Sequence, residues 1–154
     1  MSYPNQKRHG GDPRKERQPI YEGINFSDVS ENLFSEIPER IAKKLGSNGS
    51  SNKPSQLRNF YNEIVMWEEK SQTKTDDEFR KEILPFLKML KAKAAYAHGR
   101  NNKNNDPNKG LVDKNFLELL TYCLNQVQDK QTMSHFKLFM ESFMGFYKLV
   151  RPKD

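Results

Sequence analysis

The chain has 154 residues, and its 26 basic and 20 acidic side chains give a net charge of +6. Its hydrophobic residues and glycines together make up about 39%, below the roughly 45–50% that is usual for a soluble domain. No apolar run reaches the roughly 20 residues of a membrane-spanning helix, and the basic residues 1–17 lack the apolar stretch of a secretory signal. We therefore expect a cytoplasmic protein of one domain with a tail.

The N-terminal part of the chain is polar and rich in proline and glycine. Residues 1–19 cannot bury enough apolar surface to offset their ordering entropy, which predicts a disordered basic arm. Residues 20–33 carry apolar side chains without a period and are expected to drape over the domain. The predicted division is a disordered or loosely draped arm over 1–32 and a helical domain over 33–154.

The rest of the chain has the periodicity of helices. Pro38 and Pro54 lie near two predicted helix starts, where a missing N–H costs little, and Pro85 predicts a kink near Lys81. No segment has the period of a strand, so we predict an all-α fold, a compact bundle of about five helices. The predicted helices cover residues 33–45, 54–69, 76–97, 113–128 and 133–150.

Two polar connections join the predicted helices, and the last helix carries an aromatic stripe. Residues 46–52, rich in glycine and serine, predict a flexible linker, and residues 98–110 form a polar loop that contains five asparagines. An aromatic stripe recurs at helical spacing in the last helix, which favours a core or a subunit interface over base stacking. The stripe consists of Phe136, Phe139, Phe143, Phe146 and Tyr147.

No group of residues indicates catalysis. His9, His98 and His135 have no partners at metal-ligand spacing. Cys123 is the only cysteine and occupies an apolar position, which is typical of a small buried hydrophobe. We therefore predict no enzymatic activity, no metal and no cofactor.

The basic side chains are more informative. Residues 53–109 hold 12 basic and 8 acidic side chains, and five cations lie between Lys88 and Lys103 without an acid between them. Some of these cations complement the helix dipole, but that effect does not require five of them. A surface for a phosphate backbone and a solvated helix end both fit this pattern. The same two readings apply to Ser55 and Gln56 at a helix start.

Three motifs are similar to those of a known family. Ser55-Gln-Leu-Arg-Asn-Phe-Tyr61 opens a helix, residues 87–100 end one with Tyr-Ala-His-Gly-Arg, and residues 136–148 form the closing aromatic helix. In order and spacing they resemble the small helical subunit of the type III-A CRISPR (Csm) effector complex. The arm, the glycine- and serine-rich linker and the asparagine-rich loop exceed what that family leads us to expect.

The resemblance implies a non-catalytic, all-helical scaffold for antiviral defence. Such a subunit lines the channel for the guide–target RNA duplex through contacts with the RNA backbone that do not depend on sequence. Its partners would be guide RNA, target RNA, other subunits and further copies of itself, with no membrane. The alternative is a helical protein–protein adaptor with a solubilising basic surface and no RNA role. The candidate RNA-binding residues are Lys53, Gln56, Arg58, Lys88, Lys91, Lys93, Arg100 and Lys148.

Overall fold

The computed structural model describes residues 18–154, which fold into five helices and contain no strand. This confirms the all-α prediction, and each helix end lies within three residues of its predicted position. Of the disordered arm predicted over residues 1–19, residues 1–17 lie outside the described residues. The helices are α1 (Glu36–Gly46), α2 (Pro54–Ser71), α3 (residues 76–99), α4 (Lys114–Gln126) and α5 (Lys130–Val150).

Helix α3 changes its winding along its length. An α-helical turn at Asp76–Glu78 leads into a π-helical turn at Phe79–Ile83, followed by α-helical Leu84–Lys88 and Leu90–Gly99. In a regular α-helix the ring of Pro85 would collide with the carbonyl four residues earlier, and proline has no N–H to donate to it. The irregularity predicted near Lys81 therefore takes the form of a π turn.

Helix α5 lies at the centre of the bundle. Helices α1 and α2 pack against it, and α3 packs against α4. Of its aromatic stripe, Phe136, Phe139, Phe143 and Tyr147 are buried, and Phe146 is half-buried. The stripe therefore belongs to the core, which is one of the two roles that its spacing predicted.

The segment before α1 contributes to this core although it has no helical period. Ile20, Ile24 and Phe26 are buried, and the Phe26 ring lies 5.7 Å from that of Phe136. The Gln126 side chain accepts a 2.7 Å hydrogen bond from the Phe26 N–H and donates one of 2.7 Å to the Ile24 carbonyl. These contacts fix the segment to α4 and α5, and the division of the chain at residue 32 stays a prediction.

The connection between α1 and α2 is ordered by its own polar side chains. The Asn48 amide donates to the Asn108 carbonyl at 2.9 Å and to the Asp113 carboxylate at 3.0 Å. The Ser51 hydroxyl donates to the Gly110 carbonyl at 2.7 Å. The prediction of a flexible linker over 46–52 is therefore wrong, because the short polar side chains that suggested flexibility pair with a distant loop.

Candidate nucleic-acid interface

The start of α2 carries three of the predicted site residues. Lys53 is exposed in the extended conformation that a following proline imposes. Gln56 is half-buried in the first turn of the helix, and Arg58 is exposed one residue after the buried Leu57. The helix thus presents two cations and one amide around its N-terminus.

An internal carboxylate already occupies this helix start. The N–H of Ser55 donates to Asp154 at 2.9 Å, and the Ser55 hydroxyl donates to the same carboxylate at 2.5 Å. These hydrogen bonds, with the nearby charges of Lys53 and Arg58, lower the pKa of Asp154. The local electrostatics therefore favour a negative charge at this position.

The second group of predicted residues lies on α3 and at Arg100, the residue that follows it. Lys88, Lys91 and Arg100 are exposed, and none of them forms an ion pair with another residue of 18–154. Lys93 differs, because its ammonium lies 2.6 Å from the Glu63 carboxylate and ties α3 to α2. This pair leaves Lys93 less available to an outside anion than its three neighbours.

Gln56 connects two clefts beside α2. One cleft, of about 360 Å³, is lined by Lys53, Gln56, Asn101 and Lys109 among others. The other, of about 160 Å³, runs from Gln56 to Lys93. The fold thus brings together Lys53, Gln56 and Lys93. The other predicted residues line neither cleft: they are Arg58, Lys88, Lys91, Arg100 and Lys148.

Lys148 is placed differently from the rest. It is exposed near the end of α5, and its ammonium donates to the Pro152 carbonyl at 3.4 Å. Its role in RNA binding stays a prediction, as do the roles of the other seven candidates.

Residues of the asparagine-rich loop complete the larger cleft, although they were not in the predicted set. Asn101 and Lys109 line it, and with Lys103 they line an adjoining cleft of about 330 Å³. The run of cations without acids that ends at Lys103 could have added that residue to the predicted set. The position of Lys109 depends on Asn48 and Ser51, which lie far away in sequence.

The seam between α2 and α3 also carries exposed aromatic surface. The rings of Trp67 and Phe86 are stacked with their centroids 5.8 Å apart, and Phe86 is 50% exposed. The Lys70 ammonium lies 4.9 Å from the centroid of the Trp67 ring. Met66 and Met89 are exposed large apolar side chains of the same two helices.

The residues that were considered for catalysis lie in surroundings that suit a structural role. Cys123 is buried as predicted, and burial raises the pKa of its thiol, which disfavours the reactive thiolate. His98 is buried with its Nδ1 3.0 Å from the Val112 carbonyl oxygen. Between residues 18 and 154 no cluster of three or more histidine, cysteine, aspartate or glutamate residues is placed to hold a metal ion. None of the helices over that range is long and apolar enough to cross a membrane.

Comparison with known proteins identifies the family. A family model described as Csm2 Type III-A matches residues 29–153, which include all five helices and all eight candidate residues. Searches of curated proteins and of solved structures give no match. The match confirms the resemblance that three motifs indicated. The chain therefore belongs to the Csm2 family of type III-A CRISPR systems, whose members are small structural subunits of the type III-A effector complex.

Proposed function

We propose that this chain is a non-catalytic RNA-binding subunit that lines the channel for the guide–target RNA duplex of a cytoplasmic type III-A effector. Several copies lie along that channel. The observation that carries the proposal is the set of exposed cations on α3 and just after its end, Lys88, Lys91 and Arg100, which has no acidic side chain among them. Membership of the family supplies the complex in which these cations act.

The expected contacts follow from the task of such a subunit. Guide and target sequences vary, so a lining subunit must bind phosphates and riboses, which are present at every position, and not base edges. Lysine and arginine side chains on rigid helices provide such contacts. Lys93 contributes less than Lys91 in this scheme, because it must first give up its ion pair with Glu63.

The test is a double charge reversal, on α3 and at the residue after it, in the assembled effector, purified from the native cell at moderate salt. Lys91→Glu combined with Arg100→Glu places two repulsive charges against the RNA backbone. We expect target RNA cleavage to fall by about tenfold or more, since each charge-assisted contact with phosphate is among the stronger hydrogen bonds. Circular dichroism should show an unchanged helical fold, because both side chains are exposed.

The matched control carries Lys43→Glu and Lys44→Glu, the same change in charge on α1. Those two residues are also exposed, but they lie on a helix that packs against α5. Lys43 pairs with Glu39 at 3.0 Å, so circular dichroism must show that the control also keeps its helical fold. We expect the control complex to keep its activity and its bound RNA. Full activity of the α3 double variant would contradict the assignment of Lys91 and Arg100.

A protein–protein adaptor without an RNA role is the second candidate. The exposed apolar side chains of Met66, Phe86 and Met89 on α2 and α3 favour it, because aromatic residues and methionine are enriched at protein interfaces. An adaptor has no RNA affinity at any salt concentration, whereas an RNA-lining subunit binds more tightly as the salt is lowered. A complex that is purified with its partner subunits but without RNA would favour the adaptor.

A further inference from the structure

The asparagine-rich loop returns to the start of α2 through fixed backbone contacts. The Leu111 N–H donates to the Ala97 carbonyl at 2.9 Å, and the Asn52 N–H donates to the Leu111 carbonyl at 3.0 Å. Gly110 has a φ of +96°, and a Cβ atom there would lie 2.2 Å from the His98 carbonyl oxygen. The root of the loop is thus locked between the end of α3 and the connection that precedes α2.

The loop also has a defined internal shape. The Asn102 amide donates to the Asp106 carbonyl at 2.7 Å, and its carbonyl oxygen accepts from the Asp106 N–H at 2.8 Å. Asn101 and Asn105 have left-handed backbones with φ of +59° and +52°, a conformation that asparagine tolerates better than most residues. The asparagines therefore fix the wall of a cleft that exists before any ligand binds.

The cleft between this loop and α2 has the chemistry of a site for a polar anion. Its volume of about 360 Å³ falls within the range of small-ligand pockets, roughly 300–1,000 Å³. Lys53 and Lys109 supply two ammonium groups, and no carboxylate is among the lining residues; the Asp154 carboxylate, which is near Lys53, lies outside the lining. Gln56 and Asn101 add amides, which both donate and accept hydrogen bonds and therefore match a hydroxyl group.

The neighbouring clefts favour a nucleic-acid strand over a free nucleotide as the ligand. The cleft shares Gln56 with the cleft that reaches Lys93, and shares Asn101 and Lys109 with the cleft that contains Lys103. The middle cleft therefore adjoins both of the others, whose linings also include Glu63, paired with Lys93, and Asp106. A mononucleotide would use only the middle one, whereas a nucleic-acid strand could occupy all three.

We propose that the middle cleft binds one ribose-phosphate unit of an RNA strand. Lys53 and Lys109 contact the phosphate, and Gln56 and Asn101 contact the ribose 2′-hydroxyl. The 2′-hydroxyl is the group that lets a protein distinguish RNA from DNA at a given position. This inference rests on the proposed function, because it requires contact with RNA, and it adds the asparagine-rich loop to the RNA-binding surface.

The experiment measures filter binding of the full chain to a short RNA duplex and to the same duplex with 2′-fluoro riboses. The fluoro duplex keeps the A-form but cannot donate from the 2′ position. We expect the unmodified chain to bind the hydroxyl duplex about three- to tenfold more tightly, the range for a hydrogen bond of ordinary strength. Asn101→Gly should reduce this preference, because only the Gln56 amide then remains to contact the 2′-hydroxyl. Glycine is the suitable replacement because it accepts the left-handed backbone.

Lys109→Gln tests the phosphate contact separately. We expect it to weaken binding to both duplexes by the same factor and to reduce the slope of log affinity against log salt by about one. Lys44→Gln on α1 is the matched control for the lost charge and should leave the slope almost unchanged.

The outcomes separate this inference from the proposed function. If the unmodified chain binds neither duplex at low salt, the proposed function fails. If it binds both and Lys91→Glu with Arg100→Glu weakens that binding, the proposed function stands. In that case the cleft proposal alone would fail if the Asn101→Gly and Lys109→Gln variants bound both duplexes as the unmodified chain does.

Discussion

At the residue scale, Asn52 joins three helices. Its backbone has a φ of +60°, and its side chain is fully buried. The amide donates to the Leu45 carbonyl of α1 at 3.3 Å, and its carbonyl oxygen accepts from the Asp113 N–H before α4 at 2.9 Å. The Tyr147 hydroxyl of α5 donates to the Asn52 backbone carbonyl. Asn52 thus acts with Asn48 and Ser51 to fix the α1–α2 connection.

Two substitutions at Asn52 separate the contribution of its backbone conformation from that of its side chain. Asn52→Gly keeps the left-handed conformation but removes the side-chain hydrogen bonds, and we expect the free energy of unfolding to fall by about 2 kcal/mol. Asn52→Ala should lose roughly 1 kcal/mol more, because a Cβ atom disfavours that conformation. Urea unfolding of the two variants measures the difference. Equal stability of the alanine and glycine variants would refute the backbone argument.

Sequence predicts residues with local signals better than residues such as Asn52. The burial of Cys123 follows from its apolar position on a helix face, and the Thr75 cap follows from the acid three residues later. Asn52 lies in a glycine- and serine-rich stretch, which indicates a linker. Its partner Asp113 is 61 residues away, and no local pattern reveals such a pairing.

At the element scale, the first turn of α5 shows what helical periodicity omits. The predicted start at 133 lies three residues late, because the residues from Lys130 to Thr132 do not continue the apolar stripe. Asp129 accepts from the Thr132 N–H at 2.8 Å, and the Thr132 hydroxyl accepts from the Asp129 N–H at 3.1 Å. This reciprocal cap has threonine where glutamate or glutamine is usual. Asp129 is itself a common N-cap residue, but the glutamate or glutamine that completes the usual capping-box signal is missing.

The cap makes the stability of α5 sensitive to acid. The Thr132 N–H lowers the pKa of Asp129, so the stabilisation is complete above the unfolded pKa of about 3.9 and is lost as the pH falls through the lower folded pKa. At neutral pH, Asp129→Ala should cost about 1 kcal/mol of unfolding free energy. Urea unfolding over a pH series measures both effects.

Asp129→Asn serves as the control for this titration. It keeps an acceptor for the Thr132 N–H but carries no titratable group. We expect its unfolding free energy to decline less than that of the unmodified chain below about pH 4. Identical acid dependence of the two proteins would show that Asp129 does not contribute.

At the scale of the whole molecule, the segment before α1 packs against α4 and α5. The Phe26 ring is fully buried, and its centroid lies 5.7 Å from that of Phe136 and 5.9 Å from that of Phe139. Phe26→Ala should therefore lower the unfolding free energy by about 3–4 kcal/mol, because it leaves a cavity against α5. Val29→Ala, at a side chain that is 41% exposed, is the control and should change it by less than about 0.5 kcal/mol. A small effect of Phe26→Ala in urea unfolding would mean that the segment is only loosely attached.

The number of helices and their approximate ends follow from periodicity, but the arrangement of the molecule does not. Nothing local to Phe26 predicts that it reaches α5, because an irregular segment has no face to align. The candidate RNA-binding residues also fall into those that local sequence predicts and those that only the fold brings together. Lys91 and Arg100 can be read from a run without acids, whereas the meeting of Lys53 with Lys109 requires the folded loop.

The stacked rings of Trp67 and Phe86 at the α2–α3 seam provide an intrinsic fluorescence probe. Trp67 is the only tryptophan of the chain, so all indole fluorescence comes from this seam. Its ring lies against the half-exposed Phe86 and beneath the Lys70 ammonium, and it does not line the clefts assigned to RNA. Emission wavelength and quenching by iodide therefore report whether a protein covers the seam, independently of what occupies the clefts.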